Sequence, residues 1–134
     1  MIVVDTNVLA YFLIKGARTK ASEAAFQKDP AWVAPVLWRS EFRSVLRKYM
    51  RANLLDLKAA TKLILEAEIV LQGEGYEPPS ASVLQLSGSS ICSSYDCEFV
   101  SLAQALGIAL VTVDGRVVQA FPGTAVQLEA FGRM

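Results

Sequence analysis

The sequence contains no histidine and only two cysteines among its 134 residues. The lack of histidine excludes a Ser-His-Asp triad, a Cys-His pair and any zinc site with histidine ligands. The two cysteines, Cys92 and Cys97, are too few for a disulfide framework or a four-thiolate zinc site. We therefore expect two buried reduced thiols. Acid–base or metal chemistry must fall to carboxylates, lysines, tyrosines or thiols.

The chain also has no net charge, no long apolar run and no visible targeting segment. Thirteen basic residues balance thirteen acidic ones, so attraction to a nucleic acid would need a local basic patch. No stretch reaches the roughly 18 apolar residues of a membrane span, and no basic segment with a cleavage site follows Met1. We expect a soluble cytoplasmic protein of bacterial or archaeal type, folded as one domain over residues 1–134.

Short apolar segments alternate with helical patterns along the chain. Predicted strands cover residues 2–4, 32–34, 108–113 and 125–128. Predicted helices cover residues 7–15, 19–28, 37–51, 57–71, 80–87, 94–106 and 116–121. The clearest loop is 73–79, which is rich in glycine and proline. Short buried strands separated by helices are typical of an α/β fold with a central, mostly parallel sheet.

Four acids fall where such a fold places functional groups. Asp5 and Asp114 each follow a predicted strand, and ligands of open α/β sheets bind at the carboxyl ends of strands. Asp96 lies in the first turn of the helix 94–106, and Glu41 lies one turn into the helix 37–51. Taken singly, each could be a cap, a turn residue or a solvated side chain. Taken together they would repel one another unless a cation neutralised them, and carboxylates suit Mg²⁺ or Mn²⁺.

A helical wheel of residues 37–51 gives Glu41 a direction. It lies on the border of the apolar face, so it can point into a cleft beside the core. Arginines recur every four residues on the opposite border, at Arg39, Arg43, Arg47 and Arg51. This stripe is either a solvated face or a surface that binds phosphates or a partner protein, with Arg39 and Arg43 as candidate contacts.

Four segments resemble the motifs of the PIN-domain family, in its order and at its spacing. They are Ile2–Leu9 around Asp5, Pro35–Phe42 around Glu41, Ser94–Ala103 around Asp96, and Leu110–Asp114. The resemblance covers nearly the whole chain and is closest to the VapC-type toxins of bacterial toxin–antitoxin modules. One departure concerns the fourth acid, which the family often follows with a basic residue, whereas Gly115 precedes Arg116 here.

The resemblance implies a parallel sheet of four or five strands flanked by helices, and a metal-dependent ribonuclease. It implies Mg²⁺ or Mn²⁺ held by catalytic counterparts of Asp5, Glu41, Asp96 and Asp114. It implies groups that orient these ligands or contact substrate at Thr6, Asn7, Ser94 and Thr112. It further implies an RNA substrate, a homodimer and inhibition by a small cognate antitoxin. An apolar groove lined by Trp38, Tyr49 or Phe12 is a hypothetical antitoxin site.

Two rival functions stay open at this point. One is phosphoryl transfer through an aspartyl phosphate, but Asn7 stands where phosphatases of the haloacid-dehalogenase type need a second acid. The other is a catalytically silent PIN-like module that binds RNA or protein. Cleavage of RNA by the purified protein with Mn²⁺ discriminates the ribonuclease from the silent module. A nearby acid, Glu98, has no predicted direction or role.

Overall fold

A parallel sheet of four strands lies at the centre of the protein. The computed structural model describes residues 1–73 and 75–134; Glu74, in the predicted loop 73–79, lies outside them. The strands are β1 (Ile2–Val4), β2 (Trp32–Val33), β3 (Leu110–Thr112) and β4 (Ala125–Gln127). Their order is β2-β1-β3-β4, and each neighbouring pair is parallel. The predicted α/β fold is therefore confirmed, with every described strand pair parallel.

The register of the two central strands explains where the first motif meets the last. Val3 pairs with Leu110 and Val4 pairs with Val111. One residue further along, the backbone N–H of Asp5 donates to the carbonyl of Val111 at 3.1 Å. Because parallel strands end at the same edge of a sheet, Asp5 and Thr112 become neighbours although 107 residues separate them in the chain.

Helices flank the sheet, eight of them in the described part of the chain. They are α1 (Thr6–Leu13), α2 (Thr19–Lys28), α3 (Trp38–Arg51), α4 (Leu57–Val70), α5 (Ser80–Gly88), α6 (Ser94–Leu106), α7 (Gly115–Ala120) and α8 (Leu128–Arg133). The first seven agree with the predicted helices to within about two residues. The eighth was not predicted, because it is short and, unlike α7, no capping side chain precedes it. No helix among the described residues has the length and apolarity to cross a membrane.

Acidic side chains cap several of these helices, which is the alternative role that the sequence left open for Asp5. Asp5 Oδ1 accepts the backbone N–H of Val8 at 2.8 Å and so caps α1. Asp56 caps α4 in the same way, through the N–H of Ala59 at 2.8 Å. Such a cap satisfies one of the amide groups that a helix N-terminus leaves unpaired. Capping and a functional role are therefore compatible, since a cap uses only part of a carboxylate.

Aromatic side chains dominate the core on the β2 side of the sheet. Trp32 is 1% exposed, and its ring lies 5.1 Å from that of Phe12 and 5.2 Å from that of Phe26. Trp38, the first residue of α3, is also 1% exposed. Trp38 is therefore a core residue, which corrects the hypothesis that it lines an open antitoxin groove. The two thiols are buried and free, as expected.

Candidate active site

An open cleft of about 270 Å³ lies at the carboxyl edge of the sheet and gathers most of the predicted site. Its polar lining contains the four predicted acids with three of their predicted neighbours: Asp5, Thr6, Asn7, Glu41, Asp96, Thr112 and Asp114. The two central strands supply Asp5, Thr112 and Asp114, while α3 and α6 supply Glu41 and Asp96. Residues from four distant segments of the chain thus face one small volume.

Asp5 is the most constrained of the four carboxylates. Its Oδ2 accepts the hydroxyl of Thr112 and the backbone N–H of Val113, the latter at 3.1 Å, while Oδ1 accepts the N–H of Val8. Burial raises the pKa of Asp5, these hydrogen bonds oppose the rise, and the charge of Asp114 adds to it. The carboxylate is thus held in a fixed orientation, in surroundings that disfavour an uncompensated negative charge.

Glu41 points into the cleft, as the helical wheel predicted. The hydroxyl of Thr6 donates to Glu41 Oε1 at 2.7 Å and fixes its direction. Burial raises the pKa of Glu41, and the negative charges of Asp5, Asp96 and Glu98 raise it further. The carboxylates are therefore close enough across the cleft to repel one another.

Asp96 and Asp114 belong to helix N-termini. Asp96 forms a capping box with Ser93: the Ser93 N–H donates to Asp96 Oδ2 at 3.3 Å, and the Asp96 N–H donates to Ser93 Oγ at 3.1 Å. Asp114 Oδ1 accepts the N–H of Arg116 at 2.9 Å, and its Oδ2 lies 3.5 Å from the Arg116 guanidinium. A basic side chain therefore reaches the fourth acid despite the intervening Gly115.

Three predicted contact residues lie outside this cleft. Ser94 is exposed at the first position of α6, and the cap to Asp96 comes from Ser93 instead. Arg39 lies over the ring of Trp38 and pairs with Glu68 of α4 at 3.4 Å. Arg43 is exposed. If Arg39 and Arg43 bind RNA or an antitoxin, they do so outside this cleft.

Glu98, whose direction the sequence left open, is half-buried beside the cleft. Its charge raises the pKa of Glu41, and burial followed by the charge of Glu77 raises its own pKa. It is not among the residues that line the cleft.

The cleft has two polar residues that the sequence analysis missed, Ser44 and Lys48. Both belong to α3 and stand three and seven residues after Glu41. Residues at such spacings share one face of a helix, so this signal was present in the sequence. Lys48 is the one cation that lines the cleft among the described residues.

The donor set of the cleft fits Mg²⁺ or Mn²⁺, because these ions take oxygen ligands. Within residues 1–73 and 75–134, no group of three cysteine or acidic side chains is close enough to enclose an ion. This is compatible with Mg²⁺, which keeps several waters and is commonly held by one or two carboxylates together with substrate phosphates. Hydrogen bonds already fix the orientation of the Asp5 and Glu41 carboxylates in this cleft.

We expect Glu41→Gln to stabilise the metal-free protein at neutral pH. Because the folded state raises the pKa of Glu41, stability falls as pH rises from the ordinary glutamate pKa through the folded one. Glutamine retains the acceptor for Thr6 and removes the repelling charge. After allowance for solvent screening, the gain is about 0.5–1 kcal/mol, or roughly 2–3 °C in Tm.

Thermal melts in EDTA at neutral pH and near pH 4 test this expectation. The difference between variant and wild type should shrink at the lower pH, where the wild-type carboxyl is protonated. A variant that is less stable than wild type at neutral pH would show that Glu41 is not under electrostatic strain.

Comparison with known proteins agrees with this architecture. The PIN domain family model matches residues 2–121. PAE2754 from Pyrobaculum aerophilum has a similar structure, with a TM-score of 0.77 at 20% identity, covering 98% of this chain and 86% of that one. FitAcB from Neisseria gonorrhoeae has a TM-score of 0.72 at 19% identity, covering 96% and 98%. No curated protein sequence gives a significant match. Because the family model spans nearly the whole chain, including all four acidic motifs, this protein belongs to the PIN-domain family.

Proposed function

We propose that this protein is a divalent-metal-dependent ribonuclease that hydrolyses RNA phosphodiester bonds, with residues 1–134 acting as one domain. The observation that carries the proposal is the convergence of Asp5, Glu41, Asp96 and Asp114 on one cleft. Among the described lining residues, Lys48 is the one cation, and it forms no ion pair with any of the four acids. Membership of the PIN-domain family, whose members are generally nucleases, supports the same activity.

We assign the residues of the cleft separate roles. A divalent ion bound here would activate a water molecule and neutralise charge that develops on the phosphate. Asp5 and Asp96 are the ligands that we propose as essential, with Glu41 next and Asp114 last. Thr112 and Thr6 hold the Asp5 and Glu41 carboxylates in position through their hydroxyl groups. Asn7 is exposed at the cleft and is available to contact substrate.

The proposed hydrolysis makes a specific prediction about the products. Water attacks the phosphorus atom and the 3′-oxygen leaves, so each cut yields a 5′-phosphate and a 3′-hydroxyl. The chain has no histidine to deprotonate a ribose 2′-hydroxyl. A 2′,3′-cyclic phosphate on the product would contradict this mechanism.

The test is RNA cleavage by the purified protein with Mn²⁺ or Mg²⁺, and with EDTA, beside an Asp96→Asn variant. We expect the wild type to cleave RNA only when the metal is present, and the Asp96→Asn variant not to cleave it. No cleavage of a broad RNA pool by metal-loaded protein would favour the alternative, a PIN-like binding module without activity. One observation favours the binding module: the described residues contain no compact group of three metal ligands.

We further propose that the ribonuclease is the toxin of a type II toxin–antitoxin pair, acting in the cytoplasm as a homodimer. The likeness of its motifs to VapC-type toxins supports this role. An antitoxin-covered face would have to be apolar and exposed, and α4 presents Leu57, Leu65 and Ile69 with 70%, 54% and 75% of their surface exposed. We expect expression of this protein to arrest growth, and co-expression of the protein encoded beside it to relieve the arrest. Growth arrest by the Asp96→Asn variant would contradict a toxic ribonuclease.

A further inference from the structure

The cleft-facing side of α3 changes from acidic to basic along its length. Glu41 lies near the N-terminal end, Ser44 follows one turn later, and Lys48 follows one turn after that. All three line the same cleft. At a rise of about 1.5 Å per residue, Glu41 and Lys48 are roughly 10 Å apart along the helix axis. The order along the cleft is therefore carboxylate, hydroxyl, ammonium.

The ammonium group of Lys48 has no ionic partner within the described part of the protein. Lys48 is exposed, and no carboxylate of the described residues forms an ion pair with it. A lysine that merely compensated these acids would lie against one of them, as Arg116 lies against Asp114.

A nucleic acid strand that enters this acidic cleft would be stabilised by a positive side chain beside its phosphates. The four carboxylates repel the phosphates of any strand that enters the cleft, and a metal ion held by them can neutralise only the nearest phosphate. A phosphate further along the strand would meet an acidic cleft unless a positive side chain stood there. Ser44 and Lys48 provide a hydroxyl donor and an ammonium group, one and two helical turns after Glu41.

We propose that Lys48, with Ser44, forms a binding subsite for a backbone phosphate that flanks the scissile one in a single RNA strand. This inference rests on the proposed function for the identity of the scissile phosphate. The subsite would fix the direction in which the strand crosses the cleft. It contributes to binding and orientation, and takes no part in bond cleavage.

The test compares Lys48→Gln with Lys62→Gln, which removes the same charge from an exposed position on α4 outside the cleft. Binding of a fluorescein-labelled oligouridylate is measured over a series of salt concentrations in the Asp96→Asn background, so that cleavage does not interfere. Each phosphate contact contributes about 0.7 to the slope of log K against log salt for single strands. We expect Lys48→Gln to flatten the slope by about that amount, Lys62→Gln to leave it unchanged and Lys48→Arg to restore it.

Steady-state cleavage by the chain with Asp96 intact supplies a second readout. We expect Lys48→Gln to raise KM about 5- to 10-fold at low salt while kcat changes less than about twofold, as for an interaction made equally in the ground and transition states. Equal slopes for Lys48→Gln and Lys62→Gln would overturn the subsite, even if the wild type cleaves RNA. A slope change specific to Lys48, without cleavage by the wild type, would uphold the subsite and reject the ribonuclease.

Discussion

Asp5→Asn is expected to reduce metal-dependent RNA cleavage by about a thousandfold or more, which corresponds to roughly 4 kcal/mol of transition-state stabilisation. Asparagine has nearly the same shape, so the change removes charge and one acceptor but little volume. Both carboxylate oxygens of Asp5 accept hydrogen bonds, from Val8 on one side and from Thr112 and Val113 on the other. Whichever way the amide turns, its NH₂ group meets an N–H donor.

The same substitution is expected to lower stability only modestly, by about 1 kcal/mol, because one backbone N–H loses its partner while the repulsion from Asp114 is relieved. A loss of activity therefore cannot be attributed to unfolding. Asp56→Asn is the matched control, since Asp56 caps α4 through the same kind of hydrogen bond and does not line the cleft. We expect this control to retain full activity.

A third variant separates the charge of Asp5 from its orientation. Thr112→Val removes the hydroxyl that donates to Asp5 and leaves the carboxylate charge in place. Loss of such an orienting group typically costs about 10- to 100-fold. Initial rates of cleavage at saturating Mn²⁺ rank the three variants. If folded Asp5→Asn retained more than about a tenth of wild-type activity, Asp5 would not be an essential metal ligand.

Trp32→Ala is expected to cause the largest loss of stability, about 3–5 kcal/mol, from a total of about 5–15 kcal/mol for a domain of this kind. Trp32 is 1% exposed on β2, and its ring packs against Phe12 and Phe26. Its indole N–H also donates to the carbonyl of Asp29 at 2.8 Å. Alanine would leave a cavity beside the stacked rings of Phe12 and Phe26, and a carbonyl without that donor.

Urea denaturation measures this effect, with an unchanged m-value as evidence that the unfolded states are comparable. Trp32→Phe keeps most of the ring volume and loses the hydrogen bond, so we expect an intermediate loss of about 1–2 kcal/mol. Leu84→Ala, at a position with 65% exposure, should cost less than about 0.5 kcal/mol. A loss below about 1.5 kcal/mol for Trp32→Ala would mean that the aromatic cluster is loosely packed.

Local sequence patterns were sufficient to predict the strands and seven of the helices. Apolar runs such as Ile2–Val4 and Leu110–Thr112 were recognisable because buried parallel strands carry few polar residues. Capping acids and the helical period of residues 37–51 gave the starts of helices and the direction of Glu41. These signals are local, since each depends on residues within a few turns of one another. The helix Leu128–Arg133 was missed because, unlike the equally short Gly115–Ala120, it has no capping side chain before it.

The sequence by itself also determined which chemistry is available: oxygen ligands on four acids, in motifs that resemble one family, with no histidine. Only the tertiary structure decided which of these groups meet. The strand order β2-β1-β3-β4 makes Asp5 a neighbour of Thr112 and Asp114, because strands distant in the chain pair side by side. It also decided that Trp38 lies in the core and that Lys48 lines the same cleft as the carboxylates. Burial and pairing are properties of the packed chain, so local patterns cannot assign them.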